Sequence, residues 1–296
     1  MKLTVCALTY RRPEGLKRLL EGFESLEKSP EWKSLDFVIV DNDPNESGRA
    51  LCEEFQNDEA LGTTLRYINQ PIQGIARSRN VALDAAENGD WTAFIDDDER
   101  PEKDWLVSLY ASAVQHEADV VGGPVAPIIE GDPPSWIKAH GFFERRKYAD
   151  GTVLGHVFTN NVLFRSGLPK QLDVRFDERP EFAALRVGED RLFFQSLALR
   201  GAKTVYCDHA LVHEWIPAER ANEKWLIGRM YKIGVATAAV EKTLTPGPRT
   251  QLVIVAKGIT WSLLGLGRFI LGGFLKAPIR TKARRWMAYG RGLLTG

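Results

Sequence analysis

The sequence predicts an α/β fold: a mixed, mostly parallel sheet with helices on both faces, followed by a helical tail. Three observations predict it. Short β-branched and aromatic runs alternate with amphipathic helical segments over residues 1–120, which is the rhythm of parallel βαβ units. Three of those runs end in polar clusters, Thr9-Tyr10-Arg11, Asp41-Asn42-Asp43 and Asp96-Asp97-Asp98. Such ends fall together at one edge of a parallel sheet, where open α/β folds form their ligand crevice. Charge is also segregated: Lys+Arg and Asp+Glu each total 39, yet residues 243–296 hold nine basic residues and no acidic one.

Each element follows from a local pattern. Leu3 to Leu8 reads as a buried first strand, then a turn to Pro13 and a helix through Leu16, Leu19, Leu20 and Phe23. Phe37-Val38-Ile39-Val40 is a second strand, followed by a helix from about Ala50 to Phe55 and a short strand at Leu65 to Ile68. Gly74 opens a helix carrying Arg77, Arg79, Val81 and Ala82. The strand Trp91-Thr92-Ala93-Phe94-Ile95 then delivers Asp96, Asp97 and Asp98, and a helix runs through Trp105, Leu106, Leu109 and Val114. From about Val120 glycines and prolines mark loops, with Trp136, Phe142 and Phe143 exposed or half-buried between them. Strand character returns at Asn160 to Phe164 and at Thr204 to Cys207, with an apolar helix over Leu192 to Leu199. No internal repeat or low-complexity tract is present.

Composition bounds the function. A chain of 296 residues, 44% hydrophobic and 26% charged, suits one large soluble domain plus an appendage. Cys6, Cys52 and Cys207 lie far apart without CxxC spacing, so neither a disulfide framework nor a zinc site is expected, and a cytoplasmic setting fits. No signal peptide is expected, because the first apolar run is short and ends at Arg11-Arg12. There is no Walker A loop, no strand-borne GxGxxG and no GxSxG elbow. Basic residues do not interleave with aromatics before the tail, which argues against nucleic acid.

The polar clusters carry the chemistry, and each has a plainer structural alternative. Three adjacent aspartates repel one another, so a fold that uses them supplies a cation; otherwise they form a solvated acidic turn. Asp41, at a strand end, suits acceptance of a hydrogen bond from a nucleobase N–H, aided by Thr9 and Arg11, or caps an Asx turn. Arg77 and Arg79 near a helix start oppose the helix dipole, which a bound diphosphate would offset; a solvated helix face is the alternative. Glu189 and Asp190 open a helix after Gly188, as capping carboxylates or as a general base. His213 is a third metal ligand, a phosphate contact or a packed side chain.

In combination the motifs are more specific. Thr9-Tyr10-Arg11-Arg12-Pro13, Val40-Asp41-Asn42, Asn69 to Asn80 with Gly74 and Arg77, Asp96-Asp97-Asp98 and Gly188-Glu189-Asp190 follow in this order. That series closely resembles the family 2 glycosyltransferases of the Rossmann-like GT-A fold, and most of all the bacterial exopolysaccharide branch that includes the succinoglycan-type glucosyltransferases. The resemblance spans roughly residues 1–240. It implies that Thr9, Tyr10, Arg11 and Asp41 bind the uracil and ribose of a UDP-sugar, and that Gly74 and Arg77 border its diphosphate. It implies an Asp-x-Asp motif in which Asp96 serves ribose and metal and Asp98 holds Mn²⁺ or Mg²⁺, with His213 as a candidate third ligand and Asp97 assigned to the donor. It makes Asp190 the catalytic base, with Glu189 on the donor side and Asn160 and Asn161 where the family contacts the donor sugar or the acceptor. Processive members carry Gln-x-x-Arg-Trp; here the only Arg-Trp is Arg285-Trp286, with Lys282 at the glutamine position, so one sugar is expected per encounter.

The expected organisation is a catalytic domain over residues 1–242, divided into a nucleotide-binding half (1–120) and an acceptor-binding half (121–242), and a basic apolar tail over 243–296. Leu252 to Leu275 is interrupted only by Lys257 and Arg268 and as a helix would measure about 36 Å. Positive charge at Lys276 to Arg285 favours a cytoplasmic C-terminal end, and the catalytic domain needs the cytoplasm too, so one crossing cannot satisfy both. An interfacial helix, or a re-entrant hairpin broken near Gly265-Leu266-Gly267 or Gly272-Gly273, satisfies both on the inner-membrane surface; a helical cap packed on the catalytic domain, or a dimerisation helix, is the alternative. The expected activity is therefore inverting, metal-dependent, non-processive transfer from a UDP-sugar to a lipid-linked saccharide at the cytoplasmic face of the inner membrane. A sugar-phosphate nucleotidyltransferase and a non-catalytic nucleotide-sugar-binding scaffold are the rival functions.

Overall fold

A computed structural model describes residues 1–56, 64–179, 182, 187–272 and 277–296. The chain divides into two compact units. The first comprises residues 1–127, 145–178 and 193–214; the second comprises 128–144, 179–192 and 215–296.

The first unit is built on β1 (Lys2–Thr9), β2 (Ser34–Asp41), β3 (Leu65–Asn69), β4 (Trp91–Asp96), β6 (Val120–Gly122), β8 (Asn161–Arg165) and β9 (Thr204–Tyr206). These form one seven-stranded sheet in the order β3-β2-β1-β4-β8-β6-β9. β1 pairs in parallel with β2 and β4, β2 with β3, and β6 with β9, while β8 runs antiparallel to β4 and β6. The sheet is thus mixed and mostly parallel, as the strand–helix alternation predicts. A smaller sheet takes β5 (Glu99–Pro101), β10 (Val212–Ile216) and β7 (Val125–Ile129) in the order β5-β10-β7.

Alternation along each strand feeds two cores. Leu3, Val5, Ala7, Phe37, Ile39, Ala93 and Ile95 point to one face, where the helices Pro13–Glu24, Arg49–Gln56 and Trp105–Gln115 bring Leu16, Leu19, Phe23, Phe55, Trp105 and Leu109. Cys6, Val38, Val40, Phe94 and Phe164 point to the other, against the helix Ile75–Ala86 and against Phe193, Phe194 and Leu197. Both faces being covered explains why the strands read as almost continuous apolar runs. Burying each such phenylalanine contributes about 2–3 kcal/mol, and Phe176 stacks on Phe193 at 4.0 Å between ring centres. One glycine positions the site: a Cβ on Gly15 would meet the Asp97 carbonyl oxygen at 2.5 Å, so the first helix seats directly on the aspartate turn.

The second unit is dominated by the helices Glu223–Leu244, Pro248–Gly272 and Ala277–Thr295. Glycines let their backbones touch. A Cβ on Gly265 would meet Ala283 O at 2.8 Å and Met287 Cγ at 2.6 Å, and one on Gly234 or Gly292 would run into the facing helix backbone. Pro248–Gly272 has, over its most apolar 18-residue stretch, a mean hydropathy of 1.4, with only 17% of that stretch buried. Leu252, Leu263, Ile270 and Leu271 stay exposed on it. The end of the anticipated apolar run at Leu275, the Gly272-Gly273 break and Lys276 lie wholly or partly outside the described residues. Phe142, expected in a loosely ordered loop, is buried with Ile137, Ala221 and Leu226.

Candidate active site at the sheet edge

Register brings the polar strand ends together. Thr9 stands opposite Asp41, Leu8 opposite Asp96, and Asp41 opposite Asn69. Asp41 is fully buried, and its carboxylate accepts the Asp43 N–H (2.9 Å), the Gly48 N–H (2.7 Å) and the Tyr67 hydroxyl (2.9 Å). A carboxylate so occupied fixes the 42–48 loop. Arg11, at φ 53°, reaches Asp43 at 3.3 Å and lies 5.1 Å over the Tyr10 ring. Asn42 clamps the next loop: its amide donates to Gln70 O (2.6 Å) and Ile72 O (3.0 Å), and its oxygen accepts the Gly74 N–H (2.9 Å). Gln73 donates to the Tyr10 hydroxyl at 2.8 Å. Tyr10, Arg11, Gln73 and Gly74 thus lie along one edge of the sheet.

The three aspartates have separate environments. Asp97 is buried and held from both sides: the Thr9 hydroxyl donates to Oδ2 at 2.9 Å, and Arg12 donates to Oδ1 at 2.8 Å. Arg12 also donates to Asp98 at 2.9 Å. Burial pushes Asp97 up to about 6, with Asp98 adding to the rise and Arg12 and Thr9 opposing it. Asp96 keeps 42% of its side chain open and has Arg79 at 3.8 Å. Burial of its surroundings, then the charges of Asp98, Asp97 and Glu214, push it up to about 7 against the pull of Arg79. Behind it Glu99, almost inaccessible, accepts the Asp96 N–H at 3.0 Å and the Asn160 amide at 2.8 Å. Burial and then Asp96 and Glu214 raise Glu99 well above the usual carboxylate range. Arg145 answers part of this charge by donating to Glu214 at 2.7 Å.

The cluster therefore holds five carboxylates (Asp96, Asp97, Asp98, Glu99 and Glu214) against three guanidinium groups (Arg12, Arg79 and Arg145). That excess, in hard oxygen ligands, is what a divalent cation offsets. Among the described residues no group of three His, Cys, Asp or Glu side chains is placed to hold a metal alone. The residues fit instead an ion shared with phosphate oxygens, the usual manner of Mg²⁺. His213 stands in β10 opposite Arg100, with Nε2 2.7 Å from Glu102 Oε1; the structure does not gather it with Asp96 and Asp98.

The neighbouring arginines and asparagines have different surroundings. Arg77, expected at the diphosphate, donates to Glu178 at 2.9 Å, and Asn80 donates to the other Glu178 oxygen at 2.9 Å. Arg79, two residues on, is the arginine beside Asp96, its guanidinium also 5.6 Å from the Phe176 ring centre. Asn160 supports Glu99, and Asn161 is wholly internal, bonded to Pro124 O, Ala210 O and the Trp105 indole. Arg79 was read with Arg77 as a diphosphate candidate, whereas Arg12, Glu99, Arg145 and Glu214 were given no role in the site. Arg12 had the clearest signal, since three adjacent aspartates need a counter-charge and it lies inside the first motif.

In the second unit Gly188 adopts φ 99°, and a Cβ there would press on Ala236 at 2.9 Å. That glycine starts the helix Glu189–Leu199. Glu189 is buried, while Asp190 is partly open to solvent with its Oδ1 accepting the Arg191 N–H at 2.7 Å. Arg191 in turn donates to the Thr237 hydroxyl at 3.0 Å, which fixes this helix start against Glu223–Leu244.

The glycosyl transferase family 2 profile matches residues 4–172. The chain is 32% identical over 237 residues to the succinoglycan biosynthesis protein ExoM of Rhizobium meliloti, covering 79% of this chain and 73% of that protein. It is 22% identical over 234 residues to the glycosyltransferase GlyA of Streptococcus pneumoniae, covering 76% of this chain and 32% of the relative. Among solved structures, S. aureus TarS in complex with UDP-GlcNAc superposes with a TM-score of 0.59 at 18% identity, over 100% of this chain and 91% of the other.

Proposed function

The chain belongs to glycosyl transferase family 2, and from that premise we propose that it moves a sugar from a UDP-sugar to a saccharide acceptor, with inversion and with a divalent metal. The observation that carries this reading is the cluster at the end of β4, where five carboxyl groups outnumber three arginines. TarS has been solved with UDP and with UDP-GlcNAc, which supports UDP as the nucleotide. Tyr10, Arg11 and the loops fixed by Asp41 and Asn42 take the uracil and ribose, with Gly74 allowing close backbone approach. Mn²⁺ or Mg²⁺, when bound, supplies positive charge against the diphosphate leaving group; Asp98 and Asp96 hold it, and Arg79 adds charge on the same side.

Asp190 takes the proton from an acceptor hydroxyl. The freed oxygen attacks the anomeric carbon as the bond to UDP breaks on the opposite face. Without Gln-x-x-Arg-Trp the product leaves after one addition. Membership in a glycosyltransferase family leaves the nucleotidyltransferase and scaffold alternatives without a specific observation.

The acceptor is a lipid-linked saccharide of a surface or exopolysaccharide pathway, met at the cytoplasmic face of the inner membrane. The exposed apolar side of Pro248–Gly272 and the acid-free tail support an in-plane, monotopic seat there. Its test uses purified protein in detergent with Mn²⁺, a panel of UDP-sugars and inner-membrane lipid extract. UDP release is expected with one donor, and no hydrolysis or transfer with any donor would overturn the reading. Asp190→Asn should lower transfer about 10²–10⁴-fold while UDP binding is kept.

A further inference from the structure

A groove of about 490 Å³ runs between the helices Glu223–Leu244 and Ala277–Thr295. Ile227, Tyr231, Met287 and Ala288 make it apolar, and the side chains of Arg284 and Arg291 stand at its edge. Seven residues separate the two arginines, which places them about two turns apart on one helix face. Gly228 lines the groove without a side chain, and a Cβ there would meet nothing within 4 Å. The wall opposite is fixed, because Met287 packs against Gly265.

The charges at this groove are unequal. Arg284 is held by Glu223 at 3.1 Å and lies 5.7 Å from the Phe269 ring centre. Arg291 is exposed, faces the Tyr231 ring at 5.8 Å, and has no carboxylate partner among the described residues. An apolar trough with a guanidinium at its mouth complements an amphiphile with a phosphate head. Its volume suits one small ligand, so it takes a single chain and not a two-chain phospholipid.

We propose that this groove binds the phosphate and first chain segment of a single-chain lipid phosphate, the carrier end of the acceptor. The inference rests on the lipid-linked acceptor class proposed above. The probe is farnesyl phosphate, titrated calorimetrically into the full chain, with farnesol, inorganic phosphate and phosphatidylglycerol in mixed micelles as comparators. Saturable 1:1 binding is expected, with farnesol and phosphate each weaker by at least about tenfold. Gly228→Leu, which fills the trough with a better helix former, and Arg291→Gln should each weaken binding by about tenfold or more, with Arg291→Lys between. Thermal melts check that each variant is folded. Unchanged affinity in both variants overturns the proposal; so does farnesol binding as tightly, which would mark a plain apolar patch. Displacement by phosphatidylglycerol at equal mole fraction also overturns it, in favour of a bilayer headgroup. Acceptor-free UDP-sugar hydrolysis separates the two readings. If the wild type hydrolyses no donor yet binds farnesyl phosphate, the transferase reading fails and the groove stands; hydrolysis intact with no farnesyl phosphate binding is the reverse.

Discussion

The sheet edge and the tail hairpin both concentrate charge of one sign, and they hold it differently. At the sheet edge, five carboxylates are interleaved with Arg12, Arg79 and Arg145 and locked by Thr9 and Asn160. In the hairpin, Arg268 lies over Trp286, Arg285 over Phe142 and Arg291 over Tyr231, with few acids at hand. Aromatic faces screen a cation only modestly. In the first arrangement carboxyl groups outnumber guanidinium groups; in the second, basic groups outnumber the acids in contact with them. Charge at the sheet edge is thus fixed by hydrogen bonds between side chains, whereas charge in the hairpin rests largely on aromatic faces.

Four measurements break or sharpen this contrast. Asp98→Asn should lower kcat/KM by about 10²–10³-fold without lowering the melting temperature, because it removes repulsion as well as a ligand. A stable, fully active variant would reduce the cluster to a structural turn. Gly292→Val should destabilise the hairpin by about 1–3 kcal/mol or more, since its side chain would meet the backbone of Tyr231 and Val235; an unchanged denaturation curve would disprove the close approach. Arg79→Gln should cost about tenfold in kcat/KM and more than Arg77→Gln. The reverse order would return the diphosphate to Arg77, as the sequence suggested.

The smallest effect is in pH. Asp96 is held at about 7 and Asp97 at about 6, above the ordinary aspartate value of about 3.9. Between about pH 4 and 7 the folded chain therefore carries protons on these two groups that the unfolded chain has lost, so stability falls as pH rises through that window. Urea denaturation at pH 5 and 7.5 without metal should show the decline, and Mn²⁺ should flatten it. A rise with pH in metal-free buffer would mean these carboxylates are held ionised.

Much of the fold was legible because buried parallel strands leave uninterrupted apolar runs, and the ends of those runs point to one edge. Thr9, Asp41 and Asp96 are adjacent in register for that reason. The antiparallel insertion of β8 and the small sheet of β5, β10 and β7 were not legible, because pairing partners distant in sequence leave no local pattern. The site shows the same division. Residue types were readable, but which of two neighbours faces the cluster depends on helix phase, and this separates Arg79 from Arg77. Burial decided Asp41 and Asn161, whose polar groups are spent on partners within the protein, Tyr67 and Trp105 among them. Glu99 was hidden by its position just past a more conspicuous triplet.

Asn42 has one more consequence. Its three hydrogen bonds tie down the backbone of residues 70–74, a stretch that carries the proline and glycine expected of a mobile loop. Ordering such a loop costs about 1–2 kcal/mol of conformational entropy per residue. Here that ordering is complete when the chain folds, so a nucleotide entering the edge finds its wall already built. Preorganisation of this kind should appear as fast, single-step nucleotide association with a small entropy penalty. Asn42→Ala should slow association and shift the cost to the binding step, leaving the contacts in the final complex much the same.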